Sequence, residues 1–315
     1  MKSFSELERL CHMSFSRCCD LYHAYTSGKE MPILFKTTED LAFVMNVIAL
    51  AAYTFKDTVT IIAFEVMNNH FHFIISGSQK DLDEFFRLIV KKIKHTIPSA
   101  ARLTFCLKPI HDLIALRNNI VYVNRNGYVA NPEFTPFSYP WGTGRYYHNE
   151  IPSPLTFADI GYNQNRKMFR GGNVKLPSEW QLDSTDNAGS LDGNTSKKTS
   201  VFIAPTSYCD IRLGMSMFRN AHHYFSMVSK NVESYSNLAV DIDDGEFLTD
   251  QELFFEVIKI LHSKYDGVKI NSLSNAQRYD LARTLHFEYR SSNGQIRRVL
   301  GLGEYEVNQL FPIKQ

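Results

Sequence analysis

The stretch MNNHFHFIIS, residues 67–76, places two histidines on either side of a phenylalanine within an apolar run. Side chains alternate across a β-strand, so His70 and His72 should share one face of the strand while Phe71 and Phe73 point to the other face. Two neutral imidazoles side by side supply half of a metal site. The stretch therefore predicts a strand that carries a metal-dependent function.

The neighbouring segments predict the rest of the fold class. Residues 58–66, TVTIIAFEV, are rich in β-branched residues, and residues 67–69 form a plausible tight turn, so the two segments predict a β-hairpin. Residues 20–26 predict another strand, and helical periodicity marks residues 38–55, 81–95 and 111–126. Gly127 is well placed to end the third of these helices. The pattern is that of an α+β domain.

The third helix, HDLIALRNNIVYVNRNG, carries two further candidate site residues. Tyr122 and Asn126 are four residues apart, so they lie on the same helical face one turn from each other. A hard divalent cation held by two imidazoles would accept an amide oxygen as third ligand. The tyrosine could then attack a bound phosphate and form a covalent phosphotyrosine. Tyr128 is the competing nucleophile, although it follows the predicted helix stop and lacks an amide one turn on.

These residues carry a resemblance to a known family. MNNHFHFII resembles the histidine-hydrophobe-histidine (HUH) motif of single-tyrosine transposases, and YVNRNGYVANPEFTPFSYPWGTGRYY resembles the Tyr-Ile-His-x-Asn-Pro…Tyr-Pro-Trp-Ser-Ser-Tyr pattern of REP-associated tyrosine transposases, which are relatives of the insertion-sequence enzymes. The resemblance covers about residues 15–148. Asn68, Asn124 and Gly127 stand where the family pattern has Pro, His and Pro.

The resemblance implies a fold and an activity. The expected fold is the HUH nuclease fold, a ferredoxin-like antiparallel sheet with helices on one face. His70, His72 and Asn126 would bind Mg²⁺ or Mn²⁺, and Tyr122 would cleave single-stranded, hairpin-forming DNA through a 5′-phosphotyrosine. The expected function is thus that of a transposase-like DNA endonuclease and strand transferase. One alternative is a domesticated, non-catalytic nucleic-acid-binding regulator that retains the fold, and another is a metal-dependent hydrolase that uses water.

Charge patterning suggests where DNA could bind. Residues 87–108 contain six Lys or Arg and no acid, which indicates either a solvated helix face or a phosphate-contacting surface. The candidate DNA contacts in the first half of the chain are Lys91, Lys92, Lys94, Arg125 and Arg145.

The last 45 residues predict a second DNA-binding element. A capping box at 274–277 should open a helix that carries Leu281, Leu285 and Tyr289 into a small core. SSNGQIRRVLGLGEYEVNQLF, residues 291–311, then predicts a short helix, a turn near 301–303 and a second short helix. This part resembles the helix-turn-helix of replication initiators and sigma-type DNA binders. Its candidate contacts are Gln295, Arg297, Arg298, Tyr305 and Asn308.

Length and composition indicate the number of domains, the cellular compartment and the state of the cysteines. The 315 residues favour about two domains. We divide the chain into a catalytic domain at 1–150, a linker and helical accessory region at 151–270 with a low-complexity polar loop at 183–200, and a helix-turn-helix DNA-binding tail at 271–315. No apolar run of about 18 residues exists, and the charged start MKSFSELERLCHMSF is unlike a secretory signal. We expect a cytoplasmic protein without a membrane partner, with an active site completed either within one subunit or across a homodimer. The five scattered cysteines, without CxxC spacing, suggest neither a disulfide framework nor a zinc ribbon.

Overall fold

The computed structural model describes residues 2–18, 20–28, 32–135 except 131–133, 137–152, 155–159, 176–184, 200–229, 238, 250–287, 289, 291 and 293–311. The chain divides into two compact units, the first formed by residues 1–27 and 31–228 and the second by residues 28–30 and 229–315. The described parts of 151–228 therefore belong to the same unit as residues 1–27 and 31–150.

A four-stranded antiparallel sheet forms the centre of the first unit. Its strands are β1 (Leu21–Thr26), β2 (Thr60–Val66), β3 (Phe71–Ser76) and β4 (Phe105–Pro109), in the spatial order β2-β3-β1-β4. The predicted hairpin is confirmed: Val66 pairs with Phe71, and the N–H of Met67 donates to the carbonyl of His70 at 2.9 Å across the turn. The α+β class is thus confirmed.

Helices cover both faces of this sheet. After α1 (Phe4–Phe15), the helices α2 (Thr38–Thr54) and α3 (Gln79–Thr96) bury their apolar sides with Phe71, Phe73 and Ile75 of β3 in one core. The helix α4 (Leu113–Ala130) contacts β2 and β3 from the opposite face, where the side chains of His72 and Ile74 lie. The expectation of helices on one face therefore holds for α2 and α3 only.

Gly127 does not end α4, so that prediction was wrong. The helix continues to Ala130, and the φ angle of Gly127 is not positive. A Cβ atom at this position would come within 2.1 Å of the Tyr139 ring. Glycine is therefore needed here for a close approach between the helix and the tyrosine, and the sequence does not distinguish that requirement from a helix C-terminus.

The remainder of the first unit contains a second sheet and two short helices. The strands β5 (Leu155–Thr156), β6 (Gln181–Ser184) and β7 (Val201–Ile203) form a three-stranded antiparallel sheet. The polar loop predicted at 183–200 thus begins on a strand, while residues 185–199 lie outside the described residues. Two helices, α5 (Ile211–Ser216) and α6 (Ala221–Val228), follow this sheet along the chain.

Two side chains explain the interruption between α5 and α6. Arg117 donates from Nε to the carbonyl of Met217 at 2.6 Å, which satisfies an oxygen at the end of α5. The Oδ1 atom of Asn220 then accepts from the N–H of His223 at 2.8 Å, as an N-cap does.

The second unit is helical in its described part. It contains α7 (Asp250–Lys264), α8 (Asn275–Phe287), α9 (Asn293–Leu300) and α10 (Glu304–Leu310). The capping box at Ser274 is confirmed, because its Oγ accepts from the N–H of Gln277 at 3.3 Å and the Gln277 side chain accepts from the N–H of Ser274 at 2.9 Å. Leu281 and Leu285 are buried with Leu253, and Gly301 turns the chain at φ +64° between the two short helices, as predicted.

Candidate functional site

The two histidines of the opening motif lie together under α4. His70 is 0 % and His72 is 1 % exposed, and their ring centroids are 5.0 Å apart with the planes perpendicular. The intervening Phe71 packs into the core on the other face of the sheet. The side chains therefore alternate between the two faces of the sheet as predicted, and both imidazoles lie on the face that α4 covers.

The helix α4 brings the predicted tyrosine and amide to the same place. The Tyr122 ring stands perpendicular to the His72 ring with centroids 5.6 Å apart. Tyr122 is 1 % exposed and Asn126, one turn further along the helix, is 2 % exposed. The side chain of Tyr128, the competing nucleophile, lies outside the described residues. His70, His72, Tyr122 and Asn126 thus gather in one buried region between the sheet and α4.

Glu65 is a member of this region that the sequence analysis missed. It pairs with His72 across β2 and β3, and its Oε2 accepts from the backbone N–H of Gly127 at 2.6 Å. Burial raises the pKa of the Glu65 carboxyl well above its usual range, and the N–H groups of Gly127 and Asn126 offset only part of that effect. The sequence feature that could have identified Glu65 is its position as the single acid in the strand TIIAFEV, in which every other residue except Thr60 is apolar.

The donor set at this site fits a hard divalent cation. Among the described residues, no three His, Cys, Asp or Glu side chains are gathered closely enough to hold a metal ion on their own. The set therefore depends on the amide of Asn126 as well as on the two imidazoles. The buried Oε1 atom of Glu65 makes no hydrogen bond to any described residue. A buried oxygen of this kind is one that a nearby cation would satisfy.

The predicted DNA contacts are distributed unevenly. Lys91, Lys92 and Lys94 are exposed on α3, which covers the face of the sheet opposite to Tyr122. Arg125 is 6 % and Arg145 is 0 % exposed, and Arg145 forms an ion pair with Asp183 at 3.6 Å. These two arginines belong to the interior, which does not support the phosphate contacts predicted for them.

The candidate contacts of the second unit differ in accessibility. Tyr305 is 76 % exposed, and Arg298 is also exposed. Arg297 pairs with Glu304 at 3.2 Å, and the Oδ1 atom of Asn308 accepts from Asn293 at 3.1 Å. Gln295 is 7 % exposed and so lies in the interior of the unit. Arg298 and Tyr305 are therefore the contacts best placed to reach a partner.

A groove of about 1220 Å³ lies elsewhere on the first unit. Tyr53, Trp180, Tyr208 and Arg212 are among its lining residues, and neither histidine of the motif, Tyr122 nor Asn126 is. The groove is thus separate from the site that the sequence predicts.

No family model, curated protein or solved structure matches this chain. Within the part of the chain that the structure describes, no helix has the length and apolar character needed to cross a membrane.

Proposed function

We propose that this protein is a single-tyrosine HUH-type DNA endonuclease and strand transferase that acts on single-stranded, hairpin-forming DNA. The proposal rests on the contact between the Tyr122 ring and the His72 ring. Asn126 lies one turn further along the same helix as Tyr122. Binding of nucleic acid alone does not require a tyrosine beside two imidazoles and an amide. The strand order β2-β3-β1-β4 supports the ferredoxin-like arrangement that this class of nuclease uses.

In the proposed reaction, the oxygen of Tyr122 attacks a backbone phosphorus and loses its phenolic proton. A new bond forms between that oxygen and phosphorus, the bond from phosphorus to the 3′-oxygen breaks, and the 3′-oxygen takes up a proton. His70, His72 and Asn126 would hold a magnesium or manganese ion. When bound, that ion would polarise a phosphate oxygen and so favour attack by the weakly nucleophilic phenol.

The protein contributes to the proposed reaction mainly by positioning the reacting groups. Glu65 of β2 accepts a hydrogen bond from the backbone N–H of Gly127 on α4, next to Asn126. This hydrogen bond fixes the helix that carries both the tyrosine and the amide, and accurate placement of reacting groups lowers the barrier to attack. Tyr122 is only 1 % exposed, so surrounding side chains must move before a phosphate reaches it.

The burial of Tyr122 is also the observation that favours the rival function, a non-catalytic nucleic-acid-binding regulator. A covalent-adduct assay separates the two. We expect that denaturing electrophoresis after incubation with labelled single-stranded hairpin DNA and Mn²⁺ will show a protein–DNA adduct linked through the 5′-phosphate. Binding of the same DNA without any adduct would favour the regulator, and cleavage without an adduct would favour a hydrolase that uses water.

The metal gives a first quantitative prediction. We expect Mn²⁺ to stabilise the native protein, by about 2.7 kcal/mol at a hundredfold excess over the dissociation constant. The double variant His70→Ala/His72→Ala should not be stabilised by Mn²⁺, even if its stability without metal differs from that of the unmodified protein. Thermal melting of each variant with and without Mn²⁺ measures the effect.

The double variant His95→Ala/His111→Ala is the matched control, because both of these histidines are exposed. It should keep the full increment. An equal Mn²⁺-induced shift in the two double variants would show that the ion binds elsewhere.

The second unit gives a prediction about DNA affinity. Arg298→Ala/Tyr305→Ala should weaken binding of hairpin DNA and reduce the slope of log affinity against log salt by about 1, because one phosphate contact is lost. Fluorescence anisotropy at several salt concentrations measures both quantities. Deleting residues 274–315 is a less specific test, because α8–α10 share their core with Leu253 of α7.

Gln309→Ala is the control, since Gln309 is exposed on the same helix as Tyr305. Unchanged affinity and salt slope in the double variant would assign the second unit to a role other than DNA binding.

A further inference from the structure

His23 of β1 is a buried histidine outside the opening motif. It is 0 % exposed, and its Nε2 lies 3.1 Å from Nδ1 of His72. On its other side, Nδ1 of His23 lies 2.7 Å from Oδ1 of Asn119 on α4. The side chains of Asn119, His23 and His72 therefore form a continuous hydrogen-bonded chain that runs from the helix to one of the proposed ligands.

The position of each proton in this chain follows from the chemistry of its ends. The Nδ2 atom of Asn119 donates to the carbonyl of Ala115 at 2.8 Å. A carbonyl oxygen only accepts, so the amide nitrogen must face Ala115 and the amide oxygen must face His23. That oxygen also only accepts, and Nδ1 of His23 must therefore carry the proton. The Nε2 atom of neutral His23 is then an acceptor.

The same argument extends one step further, to the ligand itself. Because Nε2 of His23 accepts, Nδ1 of His72 must donate, and neutral His72 then has its lone pair on Nε2. His70 reaches the same state by a local contact, since its Nδ1 lies 2.7 Å from Oδ1 of Asn69. Both imidazoles are thereby set to offer Nε2 to a cation.

We propose that His23 and Asn119 are positioning residues that hold His72 in the tautomer and ring orientation required for metal binding. The inference rests on the proposed function, because it presumes that His72 is a ligand. Asn119, Tyr122 and Asn126 follow one another along a single stripe of α4. The helix that presents the nucleophile and the amide therefore also sets the proton on the histidine ligand.

Two substitutions at Asn119 separate this role from general packing. Asn119→Leu removes the acceptor, so that His23 can place its proton on Nε2 and compete with Nδ1 of His72. Asn119→Asp has a similar size, and its protonated carboxyl keeps both an oxygen that accepts from His23 and an O–H group that can donate to the carbonyl of Ala115. Loss of a residue that orients a metal ligand weakens metal binding by about 10- to 100-fold. We expect Asn119→Leu and His23→Phe to weaken Mn²⁺ binding to this extent, and Asn119→Asp to bind as tightly as the unmodified protein.

Titration calorimetry of the full chain with Mn²⁺ measures these affinities. Tyr22→Phe is the matched control and should leave Mn²⁺ affinity unchanged, because Tyr22 is also on β1 but packs against the core on the opposite face of the sheet. If the unmodified protein binds Mn²⁺ through His70 and His72 while His23→Phe and Asn119→Leu bind equally well, the positioning role is overturned and the proposed function stands. If the unmodified protein binds no Mn²⁺, the proposed metal site fails instead.

A second readout needs no metal. Nitrogen-15 NMR of histidine-labelled apoprotein, with the His72 signal identified by His72→Gln, reports which ring nitrogen carries the proton. We expect protonated Nδ1 on His72 in the unmodified protein and a mixture of tautomers in Asn119→Leu. A proton on Nε2 of His72 in the unmodified protein would overturn the inference whatever the calorimetry shows.

Discussion

Tyr122→Phe is expected to abolish the covalent protein–DNA adduct while leaving DNA binding and Mn²⁺ binding unchanged. The substitution keeps the ring, which packs against His72 at a centroid distance of 5.6 Å, and removes only the hydroxyl group. Without that oxygen no bond to phosphorus can form, so the adduct should fall below detection. Incubation with labelled hairpin DNA followed by denaturing electrophoresis provides the measurement.

Tyr128→Phe is the control for Tyr122→Phe, because Tyr128 lies on the same helix and is the other tyrosine that the sequence puts near the site. This variant should still form the adduct. Persistence of the adduct in Tyr122→Phe, together with its loss in Tyr128→Phe, would move the nucleophile to Tyr128. Loss in both variants would indicate that the site is sensitive to any change in α4, and mass spectrometry of the native adduct would then identify the linked residue.

The local features of this site could be predicted from the sequence because they depend on short-range periodicity. Residues two apart on a strand and four apart on a helix share a face, and both rules hold for the histidine pair and for Tyr122 with Asn126. The cap at Ser274 and the turn at Gly301 are similarly local. Side-chain and backbone preferences within a few residues decide such features.

The features that were missed depend on long-range packing. Glu65 and Gly127 meet only because α4 crosses β2, and His23 reaches His72 only because β1 pairs with β3. Asn124, which stands where the family pattern has His, is another example. Its side chain accepts from Thr143 at 2.7 Å and donates to Tyr224 of α6 at 3.2 Å. No pattern within a few residues shows these partners, which come from distant parts of the chain.

Arg145 is one position at which the sequence and the structure lead to different expectations. The sequence suggested a phosphate contact, whereas the side chains of both Arg145 and Asp183 are 0 % exposed and lie 3.6 Å apart. The hydroxyl of Tyr146 also donates to Asp183, and burial together with the Asp183 charge raises the pKa of that tyrosine well above its usual range. An ion pair in such a site is a structural element, because removing either charge takes an opposite charge away from the other in the interior.

We therefore expect Arg145→Met to lower the free energy of unfolding by about 3–5 kcal/mol, since it takes the Arg145 guanidinium away from a buried carboxylate. The double variant Arg145→Met/Asp183→Asn should recover much of this loss, because the amide carries no charge. Urea unfolding followed by tryptophan fluorescence measures the first unit alone, since Trp141 and Trp180 are the two tryptophans of the chain and both lie in that unit.

Arg212→Met is the control for charge removal, because Arg212 is an exposed arginine of the same unit, and it should change stability by less than about 0.5 kcal/mol. DNA affinity distinguishes the two interpretations of Arg145. A core ion pair predicts that Arg145→Met is unstable but binds hairpin DNA normally under conditions in which it remains folded. A phosphate contact predicts unchanged stability with weaker, less salt-dependent binding, and that result would restore Arg145 to the DNA-binding surface.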